Sequence, residues 1–248
     1  MFGYDYFLVE ENRLSGTIPP SIFNLSSLEI FDVEDNQIQG HLLLDIGITL
    51  PNIQFFSVTQ NQFTGSIPVS ISNSSNLYSL QLSMNKLSGK VPSLEKLNRM
   101  IFFSIALNNL GNGGENDLSF LFSLTNSTYL TILAINVNNF GGDLPKCLAN
   151  LSTTLTQLHL DNNKIFGNIH NGIGNLINLQ RLEMLQNKLS GNIPFEIGKL
   201  QKLQEFALNT NDFYGNIPSS IGNLTILIGL YLEENNLQGN IPLSLSKC

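Results

Sequence analysis

Apolar and polar residues alternate in short stretches that recur along the whole chain. In the clearest copy, Leu182 and Met184 alternate with Arg181 and Glu183, and Asn187 follows three residues later. A period of two is typical of a short strand with one buried face. We therefore predict that the two apolar residues point into a core and that the two charged residues point outward.

The phrase around these strands also repeats. The stretch NKLSGNIPFEIGKL (residues 187–200) returns from residue 211 as NDFYGNIPSSIGNL. Each copy carries an asparagine after its strand, here called the anchor, and successive anchors lie 23 to 25 residues apart except for one step of 30. The anchors, which number the coils one to ten, are Asn12, Asn36, Asn61, Asn85, Asn108, Asn138, Asn163, Asn187, Asn211 and Asn235.

This period predicts a leucine-rich-repeat solenoid, because one coil cannot bury its apolar face alone whereas stacked coils share a continuous core. We expect residues 1–248 to form a single array of about ten coils of ~24 residues each, in the α/β class and rich in β-structure. A parallel sheet would form the concave face. Turns and short 3₁₀ or helical segments would form the convex face.

Three fixed positions have a physical role in such a coil. The anchor amide carries both donors and acceptors, so we expect it to bond the backbone of its turn and of the adjacent coil. Glycine four residues past the anchor permits a positive φ or a close approach. Proline seven residues past the anchor holds the preceding residue in extended geometry.

The shared pattern L-x-G-x-I-P is similar to the plant-specific class of leucine-rich repeats, and the similarity covers nearly the whole chain. The stretches SGTIPPSIFNLSSL (15–28), GGDLPKCLANLSTTL (141–155) and NDLSFLFSLTNSTYL (116–130) resemble those of plant immune receptor kinases. The resemblance implies an extracellular module that binds a peptide or protein ligand and works with a co-receptor kinase in immune or developmental signalling.

A complete receptor of that type also has a signal peptide, a cysteine-bearing cap, a membrane helix and a kinase, and the sequence shows none of them. We therefore expect this chain to be a fragment of a receptor ectodomain. Two alternatives stay open. One is a secreted inhibitor of microbial cell-wall-degrading enzymes, although such inhibitors carry cysteine-paired caps. The other is a truncated product without a function of its own.

The long repeat, residues 109–138, contains the insertion GNGGEND. The insertion is either an excursion that contacts a ligand or a longer convex coil, and its place after the anchor favours the convex coil. Asp117 is a candidate cap for a short helix that would carry Leu118, Leu121, Phe122 and Leu124. The acids of the insertion do not have the spacing of a calcium loop.

Five Asn-x-Ser/Thr sequons are candidate glycosylation sites. Four of them lie twelve residues past an anchor, a phase that belongs to the convex side, and none lies in a concave strand. We expect glycans to cover the back of the solenoid and to leave the concave face bare. The sequons are at Asn24, Asn73, Asn126, Asn150 and Asn223.

The net charge, the lengths of the apolar runs and the positions of the cysteines exclude several kinds of partner and a disulfide. The net charge of −7 disfavours nucleic acid. No apolar run is long enough to cross a membrane, so no direct membrane insertion is expected, and nothing predicts a cofactor. Cys147 is expected near the surface and Cys248 in the core, about four coils apart and too distant to form a disulfide.

Binding is expected to involve the outward-facing strand positions, where the sequence varies from coil to coil. Apolar residues of coils two to six, including Ile30, and of the position before the anchor (Met84, Leu107, Val137) predict an interaction surface for an extended peptide or a protein face. The first coils are acidic and would attract a basic end. Alternatively, the apolar side chains pack only on one another. The candidate ligand-binding residues are Phe55, Ser57, Gln81, Phe102, Ser104, Ile132, Ala134, Gln157, His159, Arg181, Glu183 and Tyr231.

Catalysis is not predicted. His159 and Asp161 share one face at period two, but no nucleophile motif or phosphate loop accompanies them, and a solenoid groove is open to solvent. The sequence does not indicate a metal site, because its two cysteines lack the paired spacing of a zinc motif.

Overall fold

The computed structural model describes residues 5–247, with the backbone alone for residue 247. Ten short parallel strands in this range form one sheet, in which each strand pairs with that of the next coil. The predicted solenoid with a parallel sheet is confirmed. The prediction for Cys248 lies outside the described residues. The strands are Tyr6–Leu8, Ile30–Asp32, Phe55–Ser57, Ser79–Gln81, Phe102–Ser104, Ile132–Ala134, Gln157–His159, Arg181–Glu183, Glu205–Ala207 and Gly229–Tyr231.

Alternation along each strand separates the core from the surface as predicted. Leu182 and Met184 are completely buried, whereas Arg181 is exposed and Glu183 is half-buried. Leucine, isoleucine and phenylalanine at the equivalent positions of neighbouring coils join in one continuous core. This burial, rather than the three-residue strands themselves, stabilises the sheet.

The anchor asparagines connect successive coils. The Nδ2 of Asn108 donates to the carbonyls of Ile105 and Ala106 before it, at 3.2 and 3.1 Å. The same group reaches the carbonyl of Leu82 in coil four at 3.0 Å, and its Oδ1 accepts from the N–H of Leu87 at 2.9 Å. Every anchor from Asn36 to Asn235 makes the equivalent contacts to the preceding coil, which confirms the predicted role.

A second set of short parallel strands follows the anchors, and the sequence did not predict it. The glycine four residues past the anchor lies in or beside these strands with a positive φ, for example 84° at Gly191, as expected. The strands form one five-stranded and one four-stranded sheet, interrupted at coil six. They are Ser15–Gly16, Gln37–His41, Gln62–Gly65, Lys86–Gly89 and Asn109–Leu110, then Phe166–Asn168, Lys188–Gly191, Asp212–Gly215 and Asn236–Leu237.

Short helices form the convex side. Six of the described 3₁₀ helices follow directly after the proline seven residues past the anchor. The helix that begins at Asn171 follows His170, whose extended backbone takes the place of that proline. The 3₁₀ helices are Pro20–Asn24, Val69–Asn73, Lys146–Asn150, Asn171–Asn175, Phe195–Lys199, Ser219–Asn223 and Leu243–Lys247. The α-helices are Ile46–Thr49 and Phe120–Leu124.

The insertion of coil six folds around Asp117, and the predicted cap is wrong. The helix begins at Phe120 after Ser119, without a side-chain cap. The buried carboxylate of Asp117 instead accepts from the backbone N–H groups of residues 112, 113 and 114, at 2.9 to 3.0 Å, and of Gly141. Of the expected helix residues, Phe122 points to solvent, whereas Leu118, Leu121 and Leu124 are buried.

Candidate functional site on the concave face

The residues six before the anchors form a ladder across the sheet. In this ladder Ile30 lies opposite Phe55, and Phe102 lies opposite Ile132. All four side chains are half-buried, since each packs beside its neighbours along the sheet while its outer surface stays accessible. Packing on one another therefore accounts for part of this apolar character, and the accessible part is available to a ligand.

The residues four before the anchors contribute less surface than expected. Ser57 has no accessible surface, so the expectation that it lines the groove is wrong. Its hydroxyl donates to the Glu34 carboxylate at 3.2 Å, and the residue lies between Asp32 and Gln81 in the sheet. Ser104 and Ala134, which lie opposite each other in paired strands, are buried as well. Gln81 is half-buried.

An apolar ridge borders these ladders. It consists of Met84, Leu107 and Val137, each directly before its anchor and each exposed, at 43%, 43% and 38%. Their backbones are left-handed, with φ of 55°, 51° and 53°. The sequence predicts that these three side chains add to the apolar surface of the concave face, and all three are exposed, although their left-handed backbone was not foreseen.

The left-handed backbone at this position is a property of the coil geometry and does not depend on the residue type. The residue before the anchor has a positive φ in all ten coils, whether it is Glu11, Gln60 or Thr210. Its N–H continues the inter-coil ladder, as where Leu107 donates to the carbonyl of Asn136 at 2.9 Å. These hydrogen bonds impose a conformation that most L-residues adopt at a cost.

Coils seven to nine place polar groups on the same face. His159 Nδ1 lies 2.6 Å from Glu183 Oε2, and His159 Nε2 lies 3.1 Å from Gln157 Oε1. The hydrogen bond from His159 lowers the pKa of Glu183 against the opposing effect of burial. Arg181 pairs with Glu205 at 3.0 Å in a largely solvated position, so the pair adds little stability.

Asp161 lies on the same face, two residues beyond His159, and is almost completely buried. Burial raises the pKa of its carboxyl group, although a hydrogen bond from the Asn162 side chain opposes the shift. The nitrogen of His159 and the carboxylate oxygens of Asp161 and Glu183 all lie within 4.8 Å of one another. The histidine and aspartate that the sequence placed on one face are therefore joined by a third residue from the next coil.

The two ends of the concave face differ. At the first coils, burial raises the pKa of Asp32, and the nearby Glu34 and Glu10 carboxylates act in the same direction. These acids form the negatively charged end that the sequence predicted. At coil ten, the ring of Tyr231 is exposed and lies over Gly229, where a Cβ would meet ring atoms at 2.7 to 3.1 Å.

The five sequons are solvent-exposed, and none lies in a strand of the concave sheet. Asn24, Asn73, Asn150 and Asn223 each end a convex 3₁₀ helix, and Asn126 follows the helix of the insertion. Cys147 is half-buried and has no disulfide, in agreement with the expectation that it lies near the surface. Among the described residues, no helix is long and apolar enough to cross a membrane.

Comparison with known proteins agrees with this geometry. The family model described as "Leucine Rich Repeat" matches residues 154–176. The LRR receptor-like serine/threonine-protein kinase EFR of Arabidopsis thaliana is 44% identical over 89 residues, which are 36% of this chain and 9% of that protein. The receptor kinase-like protein Xa21 of Oryza sativa subsp. japonica is 50% identical over 68 residues, 27% of this chain and 7% of that protein. The matched segments thus span less than a tenth of these relatives.

Solved structures match over almost the whole chain. A TDR receptor superimposes with a TM-score of 0.89 at 29% identity, over 97% of this chain and 40% of that one. The Arabidopsis receptor kinase HAESA, in complex with the peptide hormone IDA and the co-receptor SERK1, gives 0.87 at 28% identity, over 96% and 39%. The chain is a leucine-rich-repeat solenoid of the kind found in plant receptor-like kinase ectodomains.

Proposed function

We propose that this chain is part of the extracellular sensor of a plant receptor-like kinase and that its concave face binds an extended peptide or an exposed segment of a protein. The observation that carries the proposal is the apolar ridge of Met84, Leu107 and Val137 beside a ladder of half-buried aromatic and aliphatic side chains. Accessible apolar groups grouped on one face of a monomer are typical of an interaction site.

The parts of the face suit different parts of a ligand. Apolar side chains of the ligand would pack against Phe55, Phe102 and Ile132 and against the ridge, where burial supplies most of the affinity. Polar groups would meet Gln157, Arg181 and the neighbouring charged residues. A basic end would be steered toward the acids of the first coils, an effect on association rate more than on affinity.

The relatives support this role and its setting. HAESA was solved with a peptide hormone and a co-receptor, and we propose the same classes of partner for this chain, with a kinase as the co-receptor. The similarity to the receptor kinases EFR and Xa21 supports placement on the outer side of the plasma membrane. The role that we propose there is immune or developmental signalling. Exposed sequons on the convex side would leave the concave face free of glycans.

A test of the proposal uses the left-handed backbone of the ridge. Asparagine is the non-glycine residue that tolerates this conformation best, so the double variant Leu107→Asn/Val137→Asn removes apolar surface without straining the fold. The immobilised chain is panned against a random peptide-display library. We expect the selected peptides to share an apolar residue and to bind the double variant at least about tenfold more weakly, as for a hot-spot loss above 1.4 kcal/mol.

The matched control is Gln60→Asn/Gln186→Asn, which introduces asparagine at the same position of coils three and eight, where the wild-type residue is already polar. Peptides should bind this control as they bind the wild type. Equal affinity for the ridge variant and the wild type would show that the ligand binds elsewhere. A library that yields no binder to the wild type would count against the peptide class.

A further inference from the structure

Three potential metal ligands meet on the concave face of coils seven and eight. His159 and Glu183 lie opposite each other in paired strands, and Asp161 lies two residues beyond His159 on the same side. Their ligand atoms are all within 4.8 Å of one another. The register of the sheet fixes this arrangement, so the three groups need no long-range movement to reach a common point.

One oxygen of this cluster has no partner. Asp161 is only 7% exposed, and its Oδ2 accepts from the Asn162 side chain at 2.9 Å. Its Oδ1 is inaccessible to solvent and has no hydrogen-bond donor among the residues that the structure describes. A buried carboxylate oxygen without a donor or a cation is costly, which indicates that a group outside the protein completes the site.

The neighbouring Gln157 supports the same interpretation. Its Oε1 lies 3.1 Å from Nε2 of His159, while Nδ1 of the ring faces Glu183. A cation that binds between His159 and Glu183 displaces to solvent the proton of the Nδ1–Glu183 hydrogen bond, while the Gln157 oxygen keeps Nε2 as the donor on the opposite side of the ring. Histidines that bind metals are commonly oriented by such a hydrogen bond on the opposite ring nitrogen.

We propose that His159, Asp161 and Glu183 bind a divalent transition cation of the Zn²⁺ class. One imidazole nitrogen and two carboxylate oxygens are ligands that Zn²⁺ accepts, whereas Ca²⁺ and Mg²⁺ take oxygen ligands alone. Tetrahedral ligands at 2.0–2.1 Å from zinc lie roughly 3.3 Å apart, so His159 and Glu183 move apart slightly on binding. The hydrogen bond between His159 and Glu183 does not reach Oδ1 of Asp161, which a bound cation would contact.

The site lies within the proposed ligand groove but does not depend on a peptide. Zn²⁺ with three protein ligands keeps a fourth position for water or for a group of another molecule. Zinc binding by the chain alone is therefore measurable whether or not the peptide proposal is correct.

The test is the thermal stability of the chelator-treated full chain, titrated with ZnCl₂ at neutral pH. A ligand that binds only the folded chain raises Tm, and at a hundredfold excess over Kd a shift of about 5–10 °C is expected for a chain of this size. Calorimetric titration should give one zinc per chain. Replacement of zinc by Co²⁺ should give the visible absorption of a tetrahedral site with nitrogen and oxygen ligands.

Asp161→Asn and Glu183→Gln keep the shape of the side chains and should each weaken zinc binding at least tenfold. Their Tm without zinc reports whether the variants fold. The controls are His170→Gln, which removes an exposed histidine of the convex side, and Cys147→Ser, which removes a half-buried thiol. Both controls should bind zinc as the wild type does. No zinc-dependent shift in the wild type, or equal affinity in the carboxylate variants, would overturn the proposal.

Discussion

The carboxylate of Asp117 accepts a hydrogen bond at 3.1 Å from the backbone N–H of Gly141, which lies across the insertion in the following part of the array. The same oxygen accepts from three backbone N–H groups of the insertion, at residues 112 to 114. One buried side chain thus fixes the insertion and attaches it to the next segment. The insertion is an ordered part of the convex coil, which is the alternative that the sequence favoured, and not a free loop.

Asp117→Ala should destabilise the chain by on the order of 3 kcal/mol, because it leaves the N–H groups of Asn112 and Gly141 without an acceptor. Urea denaturation measures the loss, and hydrogen exchange should show faster exchange at these two amides than at Gly113, which keeps the carbonyl of Asn139. The control is Glu115→Ala, an exposed acid of the same insertion. Its effect should stay within about 0.5 kcal/mol. Similar losses for both variants would show that general charge, and not the hydrogen bonds, matters here.

The hydrogen bonds of the anchor asparagines give a prediction that depends on which group donates and which group accepts. Asn108→Asp keeps the size of the side chain but replaces three donor contacts with a carboxylate facing the carbonyls of Leu82, Ile105 and Ala106. We expect a loss of at least about 4 kcal/mol, larger than for Asn108→Ala, because the acceptors would repel each other.

The control for the anchor is Asn12→Asp at the first coil. Asn12 is exposed, and among the described residues its side chain donates only to the carbonyls of Val9 and Glu10 in its own coil. Solvent can reach these groups, so denaturation should show a loss of about 1 kcal/mol or less. Comparable losses at Asn12 and Asn108 would mean that contacts between coils add little to the stability of the array.

The anchors could be predicted from the sequence because the same chemistry recurs in every coil. The left-handed position before them could not, since Glu11, Met84 and Val137 share no property that indicates it. Hydrogen bonds between coils impose that conformation. The burial of Ser57 could not be predicted either, because its hydroxyl bonds to Glu34 of the adjacent coil, a contact that only the folded array brings together. Asp117 was mistaken for a cap because its partners at residues 112 to 114 precede it in the chain.

Asp32 gives a pH-dependent prediction. Burial, followed by repulsion from Glu34 and Glu10, raises its pKa, so the folded chain disfavours the charged form. Stability is therefore lost as pH rises from the ordinary value of an aspartate through the raised value. Asp32→Asn should increase the free energy of unfolding by several tenths of a kcal/mol near pH 7, an amount limited by partial solvation. The gain should vanish near pH 3.

The control for this titration is Asp45→Asn, the same change at an exposed aspartate whose side chain caps no helix N–H. Urea denaturation at pH 7 and pH 3 should give little difference between this variant and the wild type. A stabilising effect of Asp32→Asn that persists at pH 3 would assign the gain to altered hydrogen bonding and not to charge.

Glycosylation gives a prediction about which face of the solenoid stays free of glycans. Expression in a eukaryotic secretory system should attach glycans at Asn24, Asn73, Asn126, Asn150 and Asn223, because all five are exposed. Peptide mass spectrometry before and after enzymatic deglycosylation identifies the modified sites. Since none lies in a concave strand, peptides selected on the bare chain should bind the glycosylated chain equally well. Reduced binding after glycosylation would place the ligand on the convex side.

The position before the anchor allows a reciprocal exchange between adjacent coils. Val137 is a β-branched residue at φ 53°, whereas the equivalent residue of the next coil is Asn162 at φ 54°. Because valine is strained in this region and asparagine tolerates it, Val137→Asn should stabilise the chain by about 0.5–1 kcal/mol despite the loss of apolar surface. Asn162→Val should destabilise it by at least about 1 kcal/mol. Urea denaturation compares the two single variants with the wild type. If both changes destabilise, side-chain contacts outweigh the backbone strain, and the ridge then contributes to stability as well as to binding.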